Sequence, residues 1–306
     1  MKQITVVGSF VTDMVATMPR FPQAGETVLG STLRIYPGGK GINQCVAARR
    51  LGAEVSMVGM LGNDGNGNMF RALMEKEGID ARYVFTAEQE PTAVAQVQID
   101  GSSQNRICVI PSANYEFGKA ELKKSEELIG NSAMVIAQLE LRTEVVYALL
   151  ELCEKKGVPV MLNPAPAQEL SDAWLKKVAY LTPNETELAV LSGVATDTEE
   201  GVYAAAERLL EKGVGNVIAT LGSRGALLYN KDRKEIVRGY RVKAVDTVAA
   251  GDSFNGALAK GIADGKDLAE AIRYANAVGA LTVTKQGAIP SLPTAQEVDE
   301  FLALQK

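Results

Sequence analysis

Short apolar runs alternate with segments of helical periodicity along this chain, and the alternation restricts the possible folds more than any other feature. Buried strands are predicted at residues 4–7, 55–60, 134–139, 158–162 and 217–221. Helices are predicted at 41–51, 67–77, around 146–153, 252–263 and 268–283. Strands that alternate with helices form a parallel sheet covered by helices on both faces, and ligands bind at the carboxyl ends of its strands.

A second group of strands is rich in Thr, Val and Ile and does not alternate with helices. These strands are predicted at 14–18, 27–36, 92–99 and 105–110, with turn-forming residues between them. The last two are joined by an Asp-Gly turn at residues 100–101, which makes them a candidate hairpin. We expect the four pieces to form a small separate sheet, inserted into the main fold in two parts.

Composition excludes several classes of function. The chain has 306 residues, of which 46% are hydrophobic and 23% charged, as in a soluble globular enzyme. A net charge of −5 argues against nucleic acid as a partner. The apolar run at 4–7 is too short for a signal peptide and no stretch is long enough for a membrane span, so we expect a cytoplasmic protein without membrane contact.

The catalytic chemistry available to the chain is restricted further by the absence of histidine. Ser-His-Asp and Cys-His catalysis and imidazole metal sites are therefore excluded. Cys45, Cys108 and Cys153 are widely spaced, which fits a reducing compartment and offers no cysteine metal site. Carboxylates, lysines and backbone dipoles remain as the groups that could carry out catalysis.

The segment 246–256 is the strongest candidate for chemistry. Ala249, Ala250 and Gly251 are small residues at a point where an extended segment turns into a helix. The free N–H groups of that first turn can converge on an anion, and Asp252 beside them can take a proton from an attacking alcohol. This arrangement suits phosphoryl transfer to a hydroxyl group. The alternative is an ordinary turn followed by an aspartate that complements the helix dipole.

Three further segments place polar residues where strands pass into helices. Segment 36–44 contains three glycines, a lysine and Asn43, but not with the spacing of a nucleotide P-loop. Glycines permit close approach of a ligand, although the segment also fits a flexible turn. Asn184 and Glu187 have the spacing of a helix capping box, which alone explains them. Segment 220–225 can form one wall of a phosphate or nucleoside pocket.

In order and content these motifs resemble the ribokinase branch of the PfkB carbohydrate kinase family. Segments 38–44 and 246–256 resemble the two family signatures. Four shorter motifs lie between them in the family order, at 138–140, 163–166, 182–187 and 221–225. The resemblance implies one α/β domain over 1–306, with a doubly wound, mostly parallel sheet and helices on both faces. It also implies a small β-sheet lid, inserted at about 12–37 and 91–111, through which two copies form a homodimer.

The resemblance further implies ATP-dependent phosphorylation of the primary hydroxyl of a sugar, with Mg²⁺ and K⁺ as further cofactors. Asp252 would be the general base, and the backbone at Ala249, Ala250 and Gly251 would hold charge on the transferred group. The residues implied for the sugar are Asp13, Gly39, Lys40, Gly41, Asn43, Glu140 and Asp252. Those implied for the nucleotide are Asn184, Thr220, Leu221, Gly222, Ser223, Arg224, Gly225, Gly251 and Asn276. Those implied for K⁺ are Asp246, Val248, Thr282, Lys285, Gly287 and Ser291, and Glu187 would position Mg²⁺ through water.

Val11 departs from the family pattern. Ribokinases usually carry Asn two residues before the sugar-binding aspartate, here Asp13, and both side chains bind ribose hydroxyls. Valine cannot form a hydrogen bond, so a buried sugar hydroxyl there loses about 1–3 kcal/mol unless Thr12 or a water compensates. D-ribose, giving ribose 5-phosphate, is the first expectation because the other sugar residues match. A 2-deoxyribose kinase, another sugar or nucleoside kinase, and a non-catalytic sugar or nucleotide sensor are the alternatives.

Overall fold

The computed structural model describes residues 3–102 and 104–305, whose strands form two sheets. The larger sheet contains β1 (Ile4–Val7), β4 (Val55–Leu61), β5 (Asp80–Thr86), β8 (Met134–Ala137), β9 (Val160–Leu162), β10 (Tyr180–Leu181), β11 (Asn216–Thr220), β12 (Gly225–Tyr229) and β13 (Lys234–Arg238). The smaller sheet contains β2 (Val11–Thr17), β3 (Thr32–Gly38), β6 (Val94–Ile99) and β7 (Asn105–Ile110).

The α-helices of the described residues connect these strands or follow them. They are α1 (Lys40–Arg50), α2 (Gly65–Glu77), α3 (Ala113–Glu116), α4 (Lys119–Lys124), α5 (Glu126–Gly130), α6 (Thr143–Lys156), α7 (Asp172–Leu175), α8 (Glu185–Ser192), α9 (Glu199–Glu211), α10 (Ala250–Ala263), α11 (Leu268–Thr282) and α12 (Ala295–Ala303). Short 3₁₀ turns lie at Gly222–Arg224 and Ile289–Ser291. Across the described ranges, every helix is too short or too polar to cross a membrane.

In the larger sheet the strand order is β13-β12-β11-β10-β9-β8-β1-β4-β5. The pairs from β11 across to β5 are parallel, whereas β12 and β13 pair antiparallel at one edge. The predicted α/β class and mostly parallel sheet are therefore confirmed. From β1 the chain passes to β4 and β5 on one side and then to β8 and β9 on the other. Such a reversal leaves a crevice at the carboxyl ends of the strands, where α/β proteins bind ligands.

Helices cover both faces of this sheet. Because side chains alternate along a strand, Val6 and Val7 of β1 enter different cores. The core that contains Val6 is filled from α1, α10 and α11, and the core that contains Val7 is filled from α6 and α9. The predicted cover of helices on both faces is confirmed.

Helices α1 and α10 pack closely because of Gly256. A Cβ atom at this position would lie 2.7 Å from the Gln44 carbonyl oxygen and 2.7 Å from the Ala47 Cβ. Only glycine allows this separation without displacing one of the helices. The first turns of the two helices are therefore held next to each other at the carboxyl edge of the sheet.

The smaller sheet has the order β3-β2-β6-β7, with β2 and β6 parallel and the outer pairs antiparallel. It confirms the expected separate small sheet. The strand predicted over 27–36 is wrong in its first half, because residues 27–31 form no strand and β3 begins at Thr32. Strands β5, β10, β12 and β13 are not predicted, since β10 is very short and the edge strands β5 and β13 carry exposed charges. The assignment of 1–306 to one domain with an inserted lid remains a prediction.

Candidate active site

Two cavities meet at the first turn of α10. The first has a volume of about 750 Å³, lies beside α10 and α11, and is called the α11 cavity below. The second, about 870 Å³, lies between the carboxyl edge of the larger sheet and one face of the smaller sheet, and is called the lid cleft. Ala250 and Gly251 line the α11 cavity, whereas Ala249 and Asp252 line the lid cleft. The first turn of α10 therefore stands between them.

The amino terminus of α10 has no side-chain cap. Ala249, its N-cap residue, has a left-handed conformation with φ of 61°. Ala250 donates its N–H to the carbonyl of Thr247 at 3.3 Å, while those of Gly251 and Asp252 have no partner in residues 3–102 and 104–305. Free N–H groups at the positive end of a helix dipole attract an anion. Of the predicted positions Ala249, Ala250 and Gly251, only Ala250 thus has its N–H in a hydrogen bond within the described residues.

The carboxylate of Asp252 is fixed by two amides of α1. Asn43 Nδ2 donates to Asp252 Oδ2 at 2.9 Å, and Gln44 Nε2 donates to Asp252 Oδ1 at 3.0 Å. Asp252 is only 8% exposed, yet it reaches the lid cleft. A carboxylate in this position can accept a proton from a hydroxyl group in the cleft.

A cluster of charged groups surrounds Asp252 in the lid cleft. Burial, followed by the negative charges of Glu140 and Asp252, raises the pKa of Asp13 to about 6. Burial also raises the pKa of Glu140, although Ser9 and the Lys40 N–H donate hydrogen bonds to this carboxylate. Burial lowers the pKa of Lys40, but the surrounding carboxylates outweigh it and raise the value overall. Close to Asp252 the cleft therefore offers several hydrogen-bond acceptors and the ammonium group of Lys40 to a polar ligand, and Arg34 lines the cleft as a second cation.

Glycines bring the amino terminus of α1 into this cleft. Gly39 has φ of 99°, and a Cβ there would lie 2.7 Å from the Val11 nitrogen. A Cβ on Gly41 would lie 2.4 Å from the Ser9 nitrogen. Because no larger residue fits at either position, α1 can begin directly against the ends of β1 and β2. The predicted sugar residues 39–43 are thereby brought together with Asp13 and Glu140.

Val11 and Thr12 lie on opposite faces of β2. Val11 and Asp13 line the lid cleft, whereas Thr12 does not, as the alternation of a strand requires. Thr12 is fully buried, and its hydroxyl has no partner among the described residues. Val11 packs against Ala93 and Ala95. The wall of the lid cleft at Val11 is therefore apolar, and the alternative that Thr12 compensates for the missing asparagine is not supported.

Most residues predicted for the nucleotide line the α11 cavity. These are Thr220, Gly222, Ser223, Gly225, Gly251 and Asn276. Leu221 is buried in the core and Arg224 pairs with Glu185, so neither side chain is part of the lining. The sequence analysis missed Tyr240, Phe254 and Ala280, which make much of the cavity apolar. Phe254 and Ala280 lie on predicted helices, but only the packing of those helices shows which face lines a cavity.

Asn184 and Glu187 form the capping box expected from their spacing. Asn184 Oδ1 accepts from the Glu187 N–H at 2.8 Å, and Glu187 Oε2 accepts from the Asn184 N–H at 2.8 Å. The pair lies near both cavities. Asn184 forms a β-bridge with Thr220, which lines the α11 cavity, and Glu187 interacts electrostatically with Lys40 and Asp252, which line the lid cleft. Within the described ranges, Oε1 of Glu187 has no hydrogen-bond partner, so it is available to water. This fits an Mg²⁺ ion, which keeps several waters and is usually held by one or two carboxylates together with phosphates.

The residues expected around K⁺ lie on two segments that Asp246 joins, one directly before α10 and one that runs from the end of α11 to the 3₁₀ turn at Ile289–Ser291. Its carboxylate accepts from the Val248 N–H at 3.0 Å and from the Gly287 N–H at 2.9 Å. The side chains of Thr282 and Lys285 bond elsewhere, so each residue could offer only its carbonyl oxygen, and that of Thr282 also accepts from the Lys285 N–H at 3.2 Å. Carbonyl, carboxylate and hydroxyl oxygens are suitable ligands for K⁺, and the residues present fit such an ion.

Comparison with known proteins identifies the family. The chain matches the family described as "pfkB family carbohydrate kinase" over residues 1–295. The chain belongs to this family. A ribokinase of Haemophilus influenzae is 41% identical over 301 residues, which cover 98% of both proteins. A deoxyribokinase of Salmonella typhi is 35% identical over 304 residues, which cover 99% of both.

The fold is also similar to that of a solved pfkB-family structure. The structure of Arabidopsis thaliana ribokinase complexed with ribose and ATP has a TM-score of 0.94 and 31% sequence identity, covering 98% of both chains. The agreement extends over the larger and the smaller sheet. The pfkB-family resemblance predicted from the motifs is confirmed.

Replacing Asp13 by Asn is expected to raise the Tm by an amount that depends on pH. The folded-state pKa of about 6 exceeds the ordinary 3.8, so the folded chain binds this proton more tightly than the unfolded chain. The stabilisation from the proton is complete below pH 3.8 and is lost as the pH rises through about 6. Asn keeps a neutral group at every pH. The Tm difference between Asp13→Asn and the parent should therefore grow over this interval in scanning calorimetry.

The exposed Asp232 provides the control for this experiment. Asp232→Asn removes a carboxylate far from the cluster in the lid cleft, so its Tm difference should not grow in the same way. A Tm difference for Asp13→Asn that stays constant or falls as the pH rises would show that burial and like charges do not strain this carboxylate.

Proposed function

We propose that this chain is an ATP-dependent sugar kinase that phosphorylates the primary hydroxyl of D-ribose, with 2-deoxyribose as the alternative substrate. The observation that carries the proposal is the first turn of α10, with free N–H groups, standing between two cavities beside Asp252. ATP in the α11 cavity would present its γ-phosphate to these N–H groups. A sugar in the lid cleft would present its hydroxyl to Asp252. The ribokinases and the deoxyribokinase among the relatives support both substrates.

In the reaction, the sugar oxygen attacks the γ-phosphorus while its proton passes to the carboxylate of Asp252. The bond from the γ-phosphorus to the bridging oxygen breaks, and ADP leaves with that electron pair. The N–H groups of Gly251 and Asp252 would stabilise the charge on the transferred group. A placed base contributes about 10²–10⁴-fold and one such donor about 10²–10³-fold. The reaction depends chiefly on positioning and electrostatics.

Mg²⁺ and K⁺ complete the proposed site. Glu187, held by its bond to Asn184, would orient water around Mg²⁺, and this ion would neutralise charge on the phosphates. Asp246 and Ser291, with carbonyl groups of Val248, Thr282, Lys285 and Gly287, would hold K⁺. The segment that carries Asp246 and Val248 leads directly into α10, so an ion bound there would hold the first turn of α10 in place.

We propose that the smaller sheet forms the interface of a homodimer. Leu33 and Ile35, on the face of this sheet turned away from the lid cleft, are 66% and 48% exposed. Exposed apolar patches of this kind are typical of protein interfaces. Sedimentation of the protein as a monomer at micromolar concentration would contradict the assembly. The buried free thiols of Cys45 and Cys153 are consistent with action in the cytoplasm.

Asp252→Asn tests the proposed function most simply. The change keeps the shape of the side chain but removes the base, so kcat should fall by about 10²–10⁴-fold while the protein stays folded. Sugar-dependent release of ADP from Mg-ATP is the measurement, and circular dichroism checks the fold. Wild-type turnover by the variant would show that Asp252 is not the base. A wild-type protein that binds ribose without releasing ADP would instead be a sensor.

Potassium should activate the enzyme. The rate of ADP release is expected to be lower when tetramethylammonium replaces K⁺, because this larger ion cannot enter a ring of carbonyl and carboxylate oxygens. Asp246→Asn should reduce the difference between the two buffers. Equal rates of the wild-type protein in both buffers would argue against the cation site.

Val11 is expected to control the choice between ribose and 2-deoxyribose. Val11→Asn places a hydrogen-bonding group in the lid cleft, which should raise kcat/KM for ribose relative to 2-deoxyribose by about 10-fold. Thr12→Val is the matched control, because Thr12 lies on the other face of β2 and should leave the ratio unchanged. An unchanged ratio in Val11→Asn would show that another group, such as a bound water, already serves this hydroxyl.

The wild-type protein decides between the two sugars directly. A higher kcat/KM on ribose supports the first substrate, and a higher value on 2-deoxyribose makes the apolar cleft at Val11 the determinant. Activity on neither sugar would keep the kinase chemistry but direct the search to hexoses and nucleosides.

A further inference from the structure

A connected set of buried amides lies behind Asp252, outside the linings of both cavities. Gln44 and Gln138 are 0% and 1% exposed, and Asn163 is 7% exposed. None of the three lines the α11 cavity or the lid cleft. They therefore have no place in the binding of either proposed substrate, although they lead directly to the proposed base.

Every hydrogen-bonding group of the Gln44 amide except one lone pair is engaged. Its Nε2 donates to Asp252 Oδ1 at 3.0 Å and to Asn163 Oδ1 at 3.0 Å. Its Oε1 accepts from Gln138 Nε2 at 2.7 Å. A flipped amide would turn its donors toward the donor of Gln138 and its oxygen toward Asp252. The orientation of Gln44 is therefore fixed, and Asp252 always meets a donor.

Strand ends of the larger sheet determine that orientation. Gln138 follows β8 directly, and Asn163 follows β9. Asn163 Nδ2 in turn donates to the carbonyl of Thr182, which follows β10. Three neighbouring strands thus position one amide of α1, and side chains supported by such rigid elements hold their geometry.

We propose that Gln44 is a positioning residue for phosphoryl transfer, which keeps the carboxylate of Asp252 ionised and in one orientation without touching either substrate. A hydrogen bond donated to a carboxylate stabilises its charged form relative to its neutral form. The inference rests on the proposed role of Asp252 as general base.

Charged groups also surround Asp252. The titratable groups that interact with it are Asp13, Lys40, Glu140 and Glu187. Three of these are carboxylates, which disfavour a further negative charge, and Lys40 alone opposes them. The amides of Asn43 and Gln44 add to the effect of Lys40 without adding net charge.

Gln44→Met tests the inference, because methionine keeps the size of the side chain but donates no hydrogen bond. We expect kcat to fall by about 10–100-fold, the loss typical of a hydrogen bond to a charged group. The acid limb of the pH profile of kcat should move up by about one pH unit, because the carboxylate then takes up its proton more readily. The KM for ATP should stay near the wild-type value, since Gln44 lies outside the α11 cavity.

Asn230→Leu is the matched control. Asn230 is a buried amide with hydrogen bonds to Asn216 and to the turn at residues 232–233, remote from both cavities. This variant should lose stability without any change in kcat or in the pH profile. If Gln44→Met likewise lost only stability, with kcat per folded molecule and the acid limb unchanged, the amide would be structural and the inference would be wrong.

Gln138→Met keeps the test decisive if Gln44→Met does not fold. Gln138→Met retains the Gln44 amide that donates to Asp252. It removes only the hydrogen bond from Gln138 Nε2 that helps to fix the orientation of this amide, so it should shift the acid limb in the same direction but less. An unchanged limb would overturn the inference. Failure of the proposed function is distinguishable, because Asp252→Asn would then turn over at the wild-type rate. An inactive Asp252→Asn together with an unaffected Gln44→Met would overturn the positioning role alone.

Discussion

The site depends on the free amino terminus of α10. In α2, α8, α9, α11 and α12 a side chain accepts a hydrogen bond from the first turn. In α10 the N-cap is Ala249 in a left-handed conformation, which costs an alanine about 1–2 kcal/mol. Helix α10 thus begins without the stabilisation that these five helices receive, and its N–H groups remain available to an anion. Stability is given up where the proposed reaction needs a positive pole.

The rest of the structure holds this free terminus in place. Gly256 lets α1 pack against α10, so that amides of α1 reach Asp252. On the other side of the turn, Asn255 Nδ2 donates to the carbonyl of Gly251 at 2.8 Å, and Thr182 bonds to the same asparagine. The proposed base and the proposed anion site are therefore both tied to the carboxyl edge of the sheet. Under the proposed function, substrates in the two cavities would bring their reacting atoms together at this turn.

The sequence predicts the features that depend on local pattern. The central strands have continuous apolar runs and their helices have clear periodicity, so the parallel sheet follows from them. The small residues at 249–251 predict the anion site for the same reason. Strands β5 and β13 escape prediction because they carry exposed charges such as Arg82, which interrupt the apolar pattern. The orientation of Thr12, the packing of Leu221 into the core and the role of Gln44 require the tertiary structure, because each depends on which neighbour the fold supplies.

The most direct test of the account is a crystal structure with ADP, aluminium fluoride and ribose. In such a complex the aluminium fluoride imitates the transferred phosphoryl group. The account predicts a planar fluoride within hydrogen-bond distance of the Gly251 and Asp252 N–H groups, with the sugar's primary hydroxyl between it and the Asp252 carboxylate. A fluoride bound away from the first turn of α10, or a primary hydroxyl directed away from Asp252, would contradict the proposed site of transfer.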